Sequence, residues 1–249
     1  MKNITISIVT HNQNEILSIL LDQLSAFADH IYKVLITHNV VGENLLENKN
    51  YLFDIHNIYN SKPLGFGENH NRAFKFCKTS FFCVMNPDIQ IHNDPFKKLM
   101  TLLDDPFISV VAPSITNLLG HREDNARYFP TPLSLLDKLF FGNDGVYPIL
   151  KTDLVTYPDW VGGMFLLFSS DKFKELNGFD KNFYLYYEDV DFCIRSWKKG
   201  YKVLLCCQES VIHDARRSSR SNFKYFKWHI ASGIRFFIKH LGRFPKRNV

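Results

Sequence analysis

The hydrophobic pattern at the start of the chain predicts a strand followed by a helix. The β-branched run ITISIV at residues 4–9 leads into the polar segment THNQN. From Glu15 to Ala28, apolar residues recur three or four positions apart, which is the spacing of one helix face, and Asn12 or Asn14 is the expected cap. The first unit of the protein is therefore expected to be strand, turn, helix.

The same alternation continues through the first half of the chain. Helices are expected over about residues 68–77 and after Asp94 and Pro95, which supply a cap and a first helical position. Strands are expected at KVLIT (33–37), DIHNIYN (54–60), SFFCVMN (80–86) and ISVVAPSI (108–115). Strands that alternate with helices in this way are typical of an α/β fold with a mainly parallel sheet flanked by helices.

The second half of the chain is less regular. Residues 117–158 mix Gly, Pro, charged and aromatic residues without a clean period, so we expect an irregular insertion with a short helix at Leu133–Phe140. After it, WVGGMFLLFS (160–169) predicts one buried strand and YKVLLCC (201–207) another. Two helices are expected between them, closed by Gly178 and Gly200.

Composition favours one large domain inside the cell. The chain has 249 residues, of which 45% are hydrophobic, enough for a sizeable core. No stretch approaches the roughly 18 consecutive apolar residues that span a bilayer, and no signal-peptide cleavage site follows the first strand, so we expect a cytoplasmic protein. The five cysteines lack metal-ligand or disulfide spacing and are expected to be reduced thiols.

The net charge of +5 is concentrated near the end of the printed sequence. Residues 216–249 interleave Lys and Arg with Phe, Tyr, Trp, Ile and Leu, as an amphipathic helix on an anionic membrane surface would. A helix that packs its aromatic face on the domain fits the same pattern. Single-stranded nucleic acid also accepts basic and aromatic residues, but we do not expect it as a partner.

Polar residues follow three of the predicted strands. They are THN at 10–12, THN at 37–39 and NPD at 86–88. In an open α/β sheet, ligands bind beyond the carboxyl ends of the strands. A carboxylate there, Asp88, can hold Mg²⁺ or Mn²⁺ together with a diphosphate. Turn residues and helix caps remain the alternative for each of these Asn and Asp residues.

The segment YLYYEDVD (184–191) places three acids in apolar surroundings. A buried carboxylate costs several kcal/mol unless it is paired, hydrogen-bonded or bound to a metal. The segment is therefore either a helix start or a reaction centre. Acids at a helix N-terminus gain about 0.3–1 kcal/mol from the helix dipole, and Asp191 fits that role better than Asp189.

Four blocks of sequence together resemble a known family. In order they are ISIVTHN, NSKPLGFGENHNRAFKFCKTSFFCVMNPDIQ, the segment from WVGGMFLLFS to KKGYKV, and SVIHDARRSS. They resemble the inverting glycosyltransferases of family 2, particularly the rhamnosyltransferase-like branch, over about residues 4–220. The resemblance implies a GT-A fold within residues 1–222, in which a nucleotide-binding half (about 1–115) is fused to an acceptor-binding half (about 116–222). A basic aromatic helix or tail, residues 223–249, follows.

The same resemblance implies roles for individual residues. Asp189 matches the general base that takes the acceptor's proton. Asp88 matches the metal-binding acid of a DxD-like motif and His213 a second ligand of Mg²⁺ or Mn²⁺. Trp160 and Glu188 are expected to contact the acceptor. The expected donor-binding residues are Thr10, Asn12, Asn39, Asn71, Asn86, Asp88, Gly162 and Gly163.

Three further expectations concern the donor. The family has an Asp after the second strand that contacts the pyrimidine, and this sequence has ITHNV there, so Thr37, His38 or Asn39 is expected to substitute. The glycine pair in WVGG lets the backbone approach a sugar closely, with packing as the alternative. The arginines that follow His213 either clamp a diphosphate or form a solvated basic face; they are Arg216, Arg217 and Arg220.

These implications combine into one expected function. The protein is expected to transfer L-rhamnose from dTDP-rhamnose to a lipid-linked bacterial polysaccharide of O-antigen or capsule type, at the inner face of the plasma membrane. A UDP-hexose donor is the alternative within the same enzyme class. A non-catalytic glycan-binding module is the alternative outside it, and the presence of Asp88, Asp189 and His213 argues against that module.

Overall fold

A computed structural model of the protein describes residues 3–42, 49–131, 134, 145–150, 152–213, 223–241 and 243–245. The strands are β1 (Ile4–Thr10), β2 (Ile31–His38), β3 (Asp54–Tyr59), β4 (Phe81–Met85), β5 (Ile89–Gln90), β6 (Ile108–Thr116), β7 (Arg122–Glu123), β8 (Ala126–Arg127), β9 (Val155–Thr156), β10 (Trp160–Val161), β11 (Phe165–Ser169) and β12 (Lys202–His213). The helices are α1 (Asn14–Ser25), α2 (Phe66–Phe74), α3 (Phe96–Leu103), α4 (Ser170–Glu175), α5 (Glu188–Lys198) and α6 (Phe223–His240).

Ten of the described strands form one sheet, with the main order β3-β2-β1-β4-β11-β6-β12-β5, and β8 pairs with β10 in a separate two-stranded sheet. Strands β1 to β4 that neighbour one another run parallel, and so do β6 and β12. Strand β11 lies antiparallel between β4 and β6. The predicted α/β fold with a mainly parallel sheet is thus confirmed, and the carboxyl ends of β1, β2 and β4 share one edge.

Both faces of the sheet are covered, so every residue of β1 is buried. Helices α1 and α3 pack their leucines on one face. On the other face a cluster of phenylalanine rings joins the sheet to α4 and α5. Phe168 lies 4.9 Å from both Phe173 and Phe192, measured between ring centroids. Aromatic pairs at such distances contribute beyond their buried area, and they fix α5 against the sheet.

Several predicted boundaries were wrong. The single strand predicted at 160–169 is two strands, because the chain turns at residues 162–164, where the Asn86 N–H donates to the Met164 carbonyl at 2.9 Å. Neither Asn12 nor Asn14 caps α1, whose cap residue is Gln13. Strand β12 extends to residue 213, well past the predicted end. The short helix predicted at 133–140 lies outside the described residues except at one position.

Helix α6 has one face buried against the domain and a second apolar face exposed to solvent. One face, which includes Phe236 and His240, is buried against the domain. Another face exposes Ile230, Ile234 and Ile238. Among the described helices, none combines the length and the apolar character that crossing a bilayer requires. All five cysteines are unpaired, as expected.

Candidate active site

The acidic segment sits on an unusual turn. Tyr186 and Tyr187, the two residues before α5, have φ angles of 70° and 69°. This left-handed region is uncommon for bulky residues and persists only where the surrounding structure holds it. The turn places Glu188 and Asp189 in the first helical turn of α5. Strain of this kind clusters at functional sites, which makes the turn a candidate for one.

Asp189 is held by two backbone N–H groups. Its Oδ2 accepts a hydrogen bond from Gly163 at 2.9 Å, and its Oδ1 accepts one from Val190 at 2.8 Å. A Cβ added to Gly163 would lie 3.5 Å from Oδ2, an ordinary van der Waals contact, so this hydrogen bond does not itself require glycine. Burial raises the pKa of Asp189 to about 6, and the two N–H groups limit the rise. A carboxylate with that pKa can accept a proton near neutral pH.

The two neighbouring acids behave differently. Burial and the charge of Asp189 raise the pKa of Glu188 well above its usual range. Its Oε2 is buried, with no hydrogen-bond partner among the described residues. Asp191 is fully buried and is ion-paired with Arg195 at 2.8 Å. Burial alone would raise its pKa, but a hydrogen bond from His240 and the nearby cations hold that pKa at about 2.

Asp189 faces a pocket of about 660 Å³, a size typical of small-molecule sites. Apolar and aromatic side chains form most of its wall: Phe66, Tyr128, Phe129, Trp160, Met164, Leu185, Tyr186 and Tyr187. The Asp124–Arg127 ion pair and His229 of α6 add polar groups. Of the residues predicted for the site, Asn86, Trp160, Gly162, Gly163, Glu188 and Asp189 line this pocket together.

Asp88 and His213 meet at the carboxyl ends of β4 and β12. The His213 Nε2 lies 3.4 Å from the Asp88 Oδ1, and the Glu123 Oε2 lies 4.0 Å from the other ring nitrogen. Asp88 Oδ1 and His213 Nδ1 are buried, and neither has a hydrogen-bond partner in the described part of the chain. One carboxylate and one imidazole suit Mn²⁺ or Mg²⁺ if phosphate oxygens and water complete the shell. The residues therefore fit a divalent metal, although the described residues contain no cluster of three possible protein ligands.

The predicted nucleoside-binding residues lie at the carboxyl ends of β1 and β2. Thr10 and Asn39 are buried, and Asn12 is exposed with a φ angle of 58°. The Asn39 amide donates to the Leu64 carbonyl at 3.0 Å and accepts from the Leu64 N–H at 2.8 Å. Its side chain thus pins the loop that precedes α2. A donor role for Asn39 stays a prediction.

Thr37 and His38, the other two candidates for base recognition, are also buried. The ring of His38 stacks on Tyr59 at 4.8 Å and shares a hydrogen bond of 2.9 Å with Asn57. In this conformation His38 is tied to β3. The sequence predicted a base-recognition residue at this position, but no pattern in it indicated the contacts of His38 with Tyr59 and Asn57.

Asn71 lies away from the pocket. Its amide donates to the Phe179 carbonyl at 2.7 Å and accepts from the Phe179 N–H at 2.9 Å, which joins α2 to the loop after α4. An amide network that sequence reasoning missed lies near it: Asn60 donates to Asn69 at 2.7 Å and accepts from Arg72 at 2.5 Å. The spacing of Asn69 and Arg72 on one helix face was the available signal.

The three arginines predicted to clamp phosphate, Arg216, Arg217 and Arg220, lie outside the described residues.

Comparison with known proteins gives matches over most of the chain. A sequence model described as glycosyl transferase family 2 matches residues 5–170, and one described as N-terminal domain of galactosyltransferase matches residues 154–214. Rhamnosyltransferase WbbL of Escherichia coli (strain K12) is 26% identical over 94% of this chain and 92% of its own length. The low-salt glycan biosynthesis hexosyltransferase Agl10 of Haloferax volcanii is 25% identical over 65% of this chain and 52% of its own.

Solved structures agree in fold. GalNAc-T7 with UDP, GalNAc and Mn²⁺ has a TM-score of 0.64 at 14% identity, over 86% of this chain and 44% of its own. TarS 1–349 of S. aureus with UDP-GlcNAc has a TM-score of 0.64 at 10% identity, over 94% of this chain and 66% of its own. The mannosyltransferase PcManGT of Pyrobaculum calidifontis with GDP-Man and Mn²⁺ has a TM-score of 0.62 at 13% identity, over 98% of this chain and 65% of its own. At these identities the similarity concerns the arrangement of the sheet and its helices.

Proposed function

The chain belongs to glycosyl transferase family 2 and has the GT-A fold, and from that premise we propose that this glycosyltransferase is an inverting enzyme with Asp189 as its base. The observation that carries the proposal is the position of Asp189. It faces an aromatic pocket, two backbone N–H groups fix its oxygens, and burial raises its pKa to about 6. A general base needs this combination of fixed geometry and a pKa near the working pH.

The reaction is a single displacement. An acceptor hydroxyl in the pocket gives its proton to Asp189 while its oxygen attacks the anomeric carbon of the donor sugar. The bond from that carbon to the donor diphosphate breaks on the opposite side, so the anomeric configuration inverts. Trp160 and Glu188 line the same pocket and are proposed to orient the acceptor.

Asp88 and His213 are proposed to hold Mg²⁺ or Mn²⁺ at the diphosphate. When bound, the metal neutralises negative charge that develops on the departing diphosphate. Two observations support this assignment: the buried Asp88 Oδ1, which has no hydrogen-bond partner in the described chain and lies 3.4 Å from the His213 Nε2, and the Mn²⁺ named in the GalNAc-T7 and PcManGT structures. The rest of the donor is proposed to lie against the nucleotide-binding half, residues 1–115, along Thr10, Asn12, Asn39 and Asn86. The acceptor-binding half is residues 116–222.

L-Rhamnose from dTDP-rhamnose is the proposed donor, and a lipid-linked bacterial polysaccharide intermediate the proposed acceptor. The match to WbbL over 94% of this chain supports the rhamnosyl donor. A UDP-hexose is the competing donor, and the UDP-GlcNAc named in the TarS structure and the hexosyltransferase Agl10 favour it. Asn71 is proposed to contribute to donor binding indirectly, through the loop that its bonds to Phe179 hold in place.

Helix α6 is proposed to rest on an anionic membrane from the cytoplasmic side. Phe226, Ile230, Ile234 and Ile238 are spaced for one helix face and are 61%, 47%, 56% and 66% exposed. The lysines of its first two turns lie beside this face. Apolar area flanked by cations is what an interfacial helix presents to anionic lipid.

A vesicle flotation assay tests the membrane contact. The variant Ile230→Ser, Ile234→Ser, Ile238→Ser should lose binding to vesicles that contain phosphatidylglycerol. The wild-type protein should bind them more weakly as salt rises and bind phosphatidylcholine vesicles weakly. Undiminished flotation of the triple variant would place the contact elsewhere.

A donor panel tests the reaction. Thermal unfolding is followed with dTDP-rhamnose, UDP-sugars and GDP-sugars, each with and without Mn²⁺. A ligand at 100 times its Kd stabilises the folded state by about 2.7 kcal/mol. Manganese-dependent stabilisation by dTDP-rhamnose supports the proposal, and stabilisation by a UDP-sugar alone replaces the donor. No response to any donor, from a protein already on vesicles with acceptor lipid, would favour the non-catalytic module.

A further inference from the structure

Helix α6 packs directly on the left-handed turn that precedes Asp189. The Ser232 hydroxyl donates to the Leu185 carbonyl at 2.8 Å. Gly233 lies so close to Tyr187 that an added Cβ would be 3.4 Å from its hydroxyl. The Phe236 ring lies 5.4 Å from the Tyr187 ring. Three successive contacts of α6 therefore hold residues 185–187 from one side.

A buried ion cluster makes a second attachment. The His240 Nε2 lies 2.9 Å from the Asp191 Oδ1, and the Lys239 ammonium lies 2.6 Å from the same oxygen. The Lys198 ammonium lies 3.0 Å from the His240 Nδ1, so that nitrogen accepts a hydrogen bond while Nε2–H donates to Asp191. Asp191 follows Asp189 by two residues on α5. The cluster thus ties the last turn of α6 to the first turn of the helix that carries the base.

The turn between these attachments has a costly backbone conformation. Neither Tyr186 nor Tyr187 is a glycine, and both adopt the left-handed region. His229 of α6 faces both tyrosine rings at 5.3 and 5.4 Å and also lines the pocket. The same helix therefore supports the turn, anchors α5 and completes part of the pocket wall.

We infer that α6 is a positioning element for catalysis: docked on Tyr187 and Asp191, it holds the turn that aims Asp189 into the pocket. Asp191, Gly233 and His240 are then positioning residues, since they act on the acceptor only through Asp189. The catalytic part of this inference rests on the proposed function, and the structural part does not. The face that carries Ile230, Ile234 and Ile238 points away from the docked face, so lipid contact and docking do not compete.

Two variants disrupt the docking of α6 and leave the rest of the helix unchanged. Gly233→Leu drives a side chain into Tyr187, and His240→Ala removes one partner of Asp191. Ala231→Leu is the matched control, because residue 231 is exposed on the same helix. In hydrogen exchange without any substrate, amides of residues 184–192 should exchange on the order of tenfold faster in both docking variants and at the wild-type rate in the control. Ser232→Ala serves if either docking variant fails to fold.

Kinetics then distinguish positioning from mere stability. With vesicle-bound acceptor, both docking variants should lose at least about tenfold in kcat, with the donor KM within about twofold of wild type. Unchanged exchange at 184–192 would overturn the inference, and so would faster exchange with an unchanged kcat. If the wild-type protein turns over no donor, the proposed function fails, and the exchange result still decides whether α6 holds the turn.

Discussion

Replacement of Asp189 by asparagine is expected to stabilise the folded protein at neutral pH while it removes transfer activity. The Asp189 carboxylate is ionised at pH 7 in a buried position, where burial penalises the charge. Asparagine has the same shape without that charge. The substitution therefore removes the free-energy penalty of burying the ionised carboxylate.

The pKa of Asp189 gives the size of the effect. Burial raises it from an ordinary value of 3.8 to about 6. Each unit corresponds to about 1.4 kcal/mol, so the ionised side chain lowers the free energy of unfolding at pH 7 by about 3 kcal/mol. Asparagine can accept from only one of the two N–H groups that Asp189 binds, which costs about 1 kcal/mol. The expected net gain is about 2 kcal/mol.

The pKa shift of Asp189 also determines the direction in which its contribution to stability changes with pH. Between pH 3.8 and about 6, the unfolded chain has released this proton while the folded protein keeps it. The wild-type contribution to stability therefore falls as pH rises through this window, and the variant lacks that fall. The advantage of Asp189→Asn should be full at pH 7 and nearly absent at pH 4.

Urea unfolding of both proteins at pH 7.0 and pH 4.5 measures these differences. Asp191→Asn is the matched control with the opposite sign, because it leaves half-buried Arg195 and buried His240 without their carboxylate and should cost roughly 3–5 kcal/mol at pH 7. In the same preparations, Asp189→Asn should lower kcat by about 10²–10⁴ with the donor affinity retained. The reasoning would be refuted if Asp189→Asn were less stable than wild type at pH 7. It would also be refuted if the difference in free energy of unfolding between the two proteins were the same at both pH values.

Four other substitutions test three separate parts of the structure. Asp88→Ala and His213→Ala should each weaken Mn²⁺-dependent donor binding by tenfold or more in calorimetry; a variant with unchanged affinity does not ligate the metal. Phe173→Ala should lower the free energy of unfolding by about 3–5 kcal/mol in urea, because Phe173 is fully buried among other rings; a loss below about 1 kcal/mol would contradict that packing. Gly178→Ala should lower the unfolding temperature, because its φ is 61° and a Cβ there would lie 2.3 Å from the Asn71 amide oxygen; an unchanged temperature would mean that the loop relaxes freely.

Local patterns predicted the first half of the fold well. The run ITISIV and the helical spacing after it depend on neighbours a few residues apart, and β1 and α1 lie where expected. The polar residues at strand ends were also readable, because strand order places parallel carboxyl ends on one edge. Asp88 and His213 meet there although 125 positions separate them in the sequence.

Long-range contacts decided what the sequence could not show. The run WVGGMFLLFS is continuous in hydrophobicity, but its two halves pair with different strands, β10 with β8 and β11 with β4 and β6. Asp191 was interpreted as a helix-dipole acid, whereas it is the centre of an ion cluster with His240, 49 residues away. Periodicity reports which face of a helix is apolar and carries no information on which distant helix meets it.

The docking of α6 also sets an order of events during synthesis. Strands β1 and β4, the pocket wall at Gly163 and the acid at residue 189 are all translated before residue 240, whose imidazole binds Asp191. A ribosome-bound chain can therefore build the sheet, which forms from earlier segments, before the turn at Tyr187 receives its support. If α6 positions the base, the nascent enzyme stays inactive until the helix that exposes Ile230, Ile234 and Ile238 has emerged.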